Sequence, residues 1–136
     1  MGITDILFGK KQVPAFRDQV FTVGTTLHPM RLPAHKADYL NLDIDVRNTF
    51  DKPLLTSVVI RLPKELGIEQ SALSHEREIR VGQLDGGATK SMRVMIWSTQ
   101  RTDPGEYKIE IFVLSHYRDY SYVLNEVRKT VEVRAA

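Results

Sequence analysis

The segment His116-Tyr117-Arg118-Asp119-Tyr120-Ser121-Tyr122 gathers three Tyr, one Arg and one His into seven positions. Tyr and Arg make large contacts at low entropic cost and are enriched where binding energy concentrates. The chemistry this stretch suggests is recognition rather than bond breaking. A plain alternative is a β-hairpin whose aromatic cross-strand pairs only stabilise it. Asp43 and Asp45, two residues apart, are the nearest approach to an acid–base pair. At that spacing they share the wet face of a strand, where pairing with Arg93 on a neighbouring strand is the simpler role. The four His residues (His28, His35, His75 and His116) are scattered, without the i, i+4 spacing of a metal site. Gly86-Gly87 is followed by no helix and no Lys-Ser/Thr pair, and no Gly-x-Ser-x-Gly elbow occurs. The expectation is a non-enzyme that needs no cofactor and no metal.

Composition supports that expectation. The chain has 136 residues, 42% hydrophobic and 26% charged, which suits one globular domain. Nineteen basic and 17 acidic side chains leave a formal charge of +2. A nucleic-acid binder carries a stronger basic excess, so nucleic acid is not an expected partner. With no Cys, disulfides, thiolate metal sites and cysteine nucleophiles are ruled out. No apolar run approaches the ~20 residues of a membrane span. Ile6-Leu7-Phe8 is too short for a secretory h-region, and Lys10 and Lys11 follow it rather than precede it. An intracellular, cytoplasmic location is therefore expected.

The elements that must position these residues follow from periodicity. Residues 1–19 form an N-terminal extension. Ile3, Ile6 and Leu7 have the i, i+3, i+4 spacing of one face of a short helix, stopped by Gly9. Such a turn is unstable alone, so it should dock on its own domain, on a partner or on a membrane surface. From Val20 the period becomes two. Strands are expected over Val20–Leu27, Leu40–Val46, Leu55–Leu62, Glu78–Val81, Lys90–Trp97, Tyr107–Leu114 and Tyr122–Val133. The clearest is the second: Leu40, Leu42, Ile44 and Val46 alternate with Asn41, Asp43, Asp45 and Arg47. Turn chemistry separates the strands, notably Asn48 to Pro53, Asp85-Gly86-Gly87 and Thr102 to Gly105. The connection Lys64–His75 has room for one helical turn. About seven short strands with turns roughly every ten residues predict an all-β, immunoglobulin-like Greek-key sandwich over residues 20–136.

Three details refine the picture. Asp103-Pro104-Gly105-Glu106-Tyr107 has the form of a tyrosine corner. A change of phase between Tyr122 and Val127 calls for a β-bulge near Asn125-Glu126. If Ile109, Ile111 and Val113 point inward, Phe112 and Leu114 point outward beside Val59. That apolar stripe wants a cover. Ile3 and Leu7 of the extension, from the same chain or from a second copy in a dimer, could supply it.

Several of these residues carry a family resemblance. Leu42-Asp43-Ile44-Asp45-Val46-Arg47-Asn48 followed by Asp51-Lys52-Pro53-Leu54 resembles the strand–Asn–turn–Pro-Leu signature of CARDB-type immunoglobulin-like domains. Ile79 to Leu84 leading to Gly87, Pro104-Gly105-Glu106-Tyr107, and Val123 to Val133 are similar to their later strands. The likeness spans Val20 to Arg134. It implies a fibronectin-like sandwich serving as a non-enzymatic binding or spacer module. In that topology the loops after the second, fourth and sixth strands share one end. Phe50 and Lys52 would then sit near His116, Tyr117, Arg118 and Tyr120, as a surface for a protein partner or, alternatively, a carbohydrate. Self-association through Val59, Phe112 and Leu114 is the other binding mode expected.

Overall fold

The computed structural model describes residues 6–7, 9–12 and 19–136. Ten strands run in chain order: β1 (Ile6–Leu7), β2 (Lys10–Gln12), β3 (Phe21–His28), β4 (Arg31–Leu32), β5 (Asp38–Asn48), β6 (Leu54–Arg61), β7 (Glu76–Leu84), β8 (Thr89–Ser98), β9 (Gly105–His116) and β10 (Tyr122–Ala135). One sheet has the order β3-β5-β8. The other has the order β1-β2-β10-β9-β6-β7, with β4 also bonded to β10. Taking the seven long strands alone, the chain crosses between sheets after β5, β7 and β8, which is the Greek-key path expected. The seven long strands are the seven foreseen from periodicity.

The core lies where the alternation puts it. Leu40, Leu42, Ile44 and Val46 of β5 are fully buried and face Val58 and Ile60 of β6 and Ile109, Ile111 and Val113 of β9 in one cluster. On the wet side of β5, Asp43 lies opposite Arg93 of β8 and accepts two bonds from its guanidinium, at 2.6 and 3.2 Å. The Arg93 hydrogen bonds hold the Asp43 carboxyl below its usual range. Asp45 takes a different partner and accepts from the Ser91 hydroxyl at 2.6 Å. The pair therefore keeps a strand face soluble, as its spacing suggested.

Two local expectations hold and two fail. The Tyr107 hydroxyl donates to the Asp103 carbonyl at 2.6 Å, closing the tyrosine corner. A register shift in β10 falls between Val123 and Asn125, one step before the foreseen bulge. The connection after β6 holds no helical turn. It carries a β-turn at Pro63–Leu66 and a bridge between Gly67 and Trp97. Ile6 and Leu7 are likewise strand rather than helix, paired with Lys11 and Lys10. A single helical turn leaves its backbone groups unbonded at both ends. Pairing along β2, itself joined to β10 at Tyr122 and Val123, satisfies them. Ile3, Phe8 and Pro14 lie outside the described residues.

One buried side chain ties the loops at the end of the sandwich where β5 ends and β6 begins. Asn48 is wholly buried. Its amide nitrogen donates to the carbonyls of Lys52 (2.8 Å) and Leu84 (2.9 Å), and its oxygen accepts from the Phe50 N–H (2.8 Å). Its backbone bonds Ala88 and Gly87 across the same gap. The loops approach so closely that a Cβ on Gly86 would lie 2.9 Å from the Phe50 carbonyl oxygen. Asn48→Ala should cost about 2–3 kcal/mol in urea unfolding, because it strands one donor and two acceptors. Asn48→Asp should cost at least as much, since a carboxylate cannot donate to the two carbonyls. A loss below the error of the melt would remove this role.

Candidate functional site

The loop between β9 and β10 is short and closely bonded. The Tyr117 N–H donates to the Tyr122 carbonyl (3.0 Å), and the Asp119 N–H to the Tyr117 carbonyl (2.8 Å). The Asp119 carboxylate accepts from the Ser121 N–H (2.8 Å). Arg118 sits at the tip with a left-handed φ of 69°. That conformation costs a non-glycine residue about 1–2 kcal/mol. The Arg118 guanidinium lies 5.0 Å from the centre of the Tyr117 ring, and Tyr117 is 44% exposed. The tip thus displays an aromatic ring and a cation already stacked on each other.

Within the same stretch His116 and Tyr120 turn inward, while Tyr122 stays at the surface. His116 is only 4% exposed, because β9 continues through it and strand parity places it on the outer face of the larger sheet. Tyr120 is half-buried, with its ring edge-on to His116 at 5.0 Å and beneath the Arg80 guanidinium at 4.7 Å. Phe50 is half-buried and packs on the main core, while Lys52 is exposed. The three loops do share one end, as Leu54 opposite Leu84 and Leu55 opposite His116 require. Of the six residues expected to form a recognition surface, Tyr117, Arg118 and Lys52 remain at the surface. His116, Tyr120 and Phe50 are largely structural.

His116 has a defined hydrogen-bond role. Its Nδ1 lies 3.1 Å from the Tyr122 carbonyl, which can only accept, so this nitrogen carries the proton. Its Nε2 then accepts from the Ser57 hydroxyl at 2.7 Å. This is the polarity of a nucleophile–base pair, but both side chains are buried and no substrate can approach the hydroxyl. Around them, Val59, Phe112, Leu114 and Val123 form a second, smaller core on the outer face. Arg61 and Arg128 hold their guanidinium groups over the Phe112 ring, at 5.4 and 4.8 Å. Lys10 of β2 reaches Glu78 of β7 at 3.0 Å. In a flat sheet those strands would stand four spacings apart, about 19 Å. The ion pair therefore brings β2 and β7 closer than a flat sheet allows.

The apolar stripe of Val59, Phe112 and Leu114 is consequently no open interface. It is buried within one chain, each residue 1% exposed or less. Of the two N-terminal residues expected to meet it, Leu7 lies in β1, and Ile3 and the Leu7 side chain lie outside the described residues. The sequence reading also missed the outer face of the smaller sheet. There Tyr39 and Trp97, opposite each other on β5 and β8, pair their rings at 4.9 Å, next to exposed Met95. The signal was present in the alternation of β5 and β8, but it needed the register between them.

No family model and no curated protein matches the chain. Solved structures do resemble it. One is the crystal structure of native Escherichia coli alpha-2-macroglobulin from domain MG7 to the C-terminus, with a TM-score of 0.60 and 16% identity over 85% of this chain and 16% of that one. A second is the Pseudomonas fluorescens alkylpurine DNA glycosylase AlkC bound to DNA containing an abasic site analogue, with a TM-score of 0.54 and 12% identity over 85% of this chain and 30% of that one. Trypsin-activated alpha-2-macroglobulin from E. coli gives 0.52 and 19% identity over 83% of this chain and 7% of that one. The chain spans less than a third of each of these proteins. These likenesses show the fold, an immunoglobulin-like β-sandwich.

Burial, the largest cause, pushes the His116 imidazole below its usual value. The Tyr122 carbonyl and Glu78 oppose this, while Lys10 and Arg80 reinforce it. The folded state therefore favours neutral His116. Stability from this site is fully present above the ordinary value of 6.5 and is lost as pH falls from there through the lowered folded value. His116→Gln keeps a hydrogen-bonding side chain but cannot titrate. Urea unfolding of the wild type should weaken more between pH 7 and pH 5 than that of His116→Gln. Parallel pH profiles would show that His116 does not control the trend.

Proposed function

We propose that this chain is a non-catalytic, intracellular interaction module that binds a protein partner through the tip of the β9–β10 loop. The observation that carries this reading is the stacked Tyr117–Arg118 pair, exposed on a loop whose backbone is bonded at Tyr117, Asp119 and Ser121. Aromatic and Arg side chains held in place lose little entropy on binding, and such residues dominate interface energetics. The left-handed backbone at Arg118 adds support, since strained positions cluster at functional sites. Lys52 on the neighbouring loop supplies a second cation at the same end. The relationship to CARDB-type domains is part of this proposal. It rests on the Asn48–Leu54 signature and the Pro104–Tyr107 corner, and such domains are binding or spacer modules. The burial of Val59, Phe112 and Leu114 moves the proposed contact away from the apolar sheet face and onto the tip.

Paired alanine substitution tests it. Tyr117→Ala with Arg118→Ala should leave the thermal melt unchanged, because both side chains project from the tip. It should weaken partner capture from a lysate about 30-fold or more, the effect of removing one interface hot spot. Undiminished capture by the folded double variant overturns the proposal. Glycan-array binding that the same variant abolishes would reassign the tip to carbohydrate.

A further inference from the structure

Every open sheet has edge strands, and an unpaired edge is a template for another strand unless something blocks it. Three of the edges here are blocked. Strand β7 carries Glu76, Arg77, Glu78 and Arg80, and its pairing with β6 shifts register between Thr56 and Ser57. Strand β10 is paired at its two ends by β2 and β4 and carries Glu126, Arg128, Lys129 and Glu132 between them. Strand β8 carries Lys90 and Arg93, and Gly67 closes its end by two backbone bonds with Trp97, at 2.8 and 3.0 Å.

Strand β3 has none of these devices. Its sequence, Phe-Thr-Val-Gly-Thr-Thr-Leu-His, contains no Lys, Arg, Asp, Glu or Pro. It pairs with β5 over all eight residues without a register shift, and among the described residues it pairs with nothing on its other side. Thr22, Gly24 and Thr26 face outward and are exposed. Val23 and Leu27 point inward yet are only partly buried, so the core is not fully closed along this edge.

We propose that the β3 edge pairs with the β3 edge of a second copy of this chain, antiparallel, joining two three-stranded sheets into one of six strands. The argument for a second copy is self-complementarity. In the register centred on Gly24, Thr22 of one copy lies opposite Thr26 of the other on the outer face. On the inner face Val23 meets Thr25 and Phe21 meets Leu27. No charge faces a like charge, Thr–Thr is a favourable cross-strand pair, and Gly24 on the axis presents no side chain to obstruct the approach. The partly buried Val23 and Leu27 gain cover in the same step. This pairing uses the smaller sheet and is independent of the Tyr117–Arg118 tip.

Analytical ultracentrifugation of the full chain tests the proposal. A single added strand pair is a small interface, so concentrations on the order of 0.1–1 mM are needed. The wild type should reach twice the 15.6 kDa of one chain. Thr22→Lys with Thr26→Lys sets Lys against Lys across the axis and should return the single-chain mass with an unchanged melting temperature. Thr89→Lys adds a charge to an exposed position of β8 in the same sheet and should leave the dimer intact. Three results would overturn the proposal: a monomeric wild type throughout that range, as expected if the edge serves a strand of some other protein; a dimer that survives the β3 pair of lysines; or equal disruption by Thr89→Lys.

Discussion

Strands β6 and β9 are apolar on both faces, and everything else in this molecule follows from the need to cover them twice. Their inner residues, Val58, Ile60, Ile109, Ile111 and Val113, meet the smaller sheet in the usual way of a sandwich. Their outer residues, Val59, Phe112 and Leu114, have no third sheet to meet, yet they are as deeply buried. Pieces of the cover are the guanidinium groups of Arg61 and Arg128 on the Phe112 ring, with the Lys10–Glu78 ion pair on the same side of the sheet. A guanidinium plane can stack on an aromatic ring and still keep part of its surface in water. The same burial takes His116 out of any surface role.

What could be read from the sequence divides along the same line. Period-two alternation is a property of one strand, so the buried and wet faces of β5 were legible residue by residue. Local chemistry was equally plain: the tyrosine corner at Tyr107 and the turn beginning at Asn48 depend on neighbours a few positions away. The errors lie where the outcome depends on distant chain. Ile6-Leu7-Phe8 is too short for periodicity to separate a helical turn from a strand, and only the free edge of β10 decides. His116 and Tyr117 stand side by side in sequence, but one ends a covered strand and the other begins a free loop. The Tyr39–Trp97 pair needed the register of β5 against β8. Nothing in either local sequence states that register, though the Asp43–Arg93 pairing expresses it.

A sandwich without disulfides must also resist shear between its sheets. Burial alone is indifferent to small slips, since one apolar contact substitutes for another. Hydrogen bonds are not. Asn48 joins the end of β5 in one sheet to the Lys52 carbonyl of the following loop and the Leu84 carbonyl at the end of β7 in the other, and Tyr107 fixes the chain where it enters β9. Each bond adds modestly to stability, but breaking those of Asn48 strands buried polar groups. Of the two, Asn48 stands at the loop end that carries Tyr117 and Arg118, and its bonds tie the base on which the proposed recognition tip would act.

The Ser57–His116 pair is the polar counterpart on the outer face. An apolar pair there would bury as well, and the hydrogen bond between them adds little net energy over such a replacement. Its effect is on geometry. His116 Nδ1 needs an acceptor, and the Tyr122 carbonyl provides it just before the register shift in β10. Ser57 lies at the matching shift between β6 and β7. The two irregularities thus flank one buried hydrogen-bonded row, on either side of the central strands. Bulges increase the local twist of a sheet. Added twist on both sides of this row would curl the outer face at that end and shorten the span that the Lys10–Glu78 ion pair closes. An apolar pair at these positions would keep its buried area but lose the hydrogen-bonded row that joins the two irregularities.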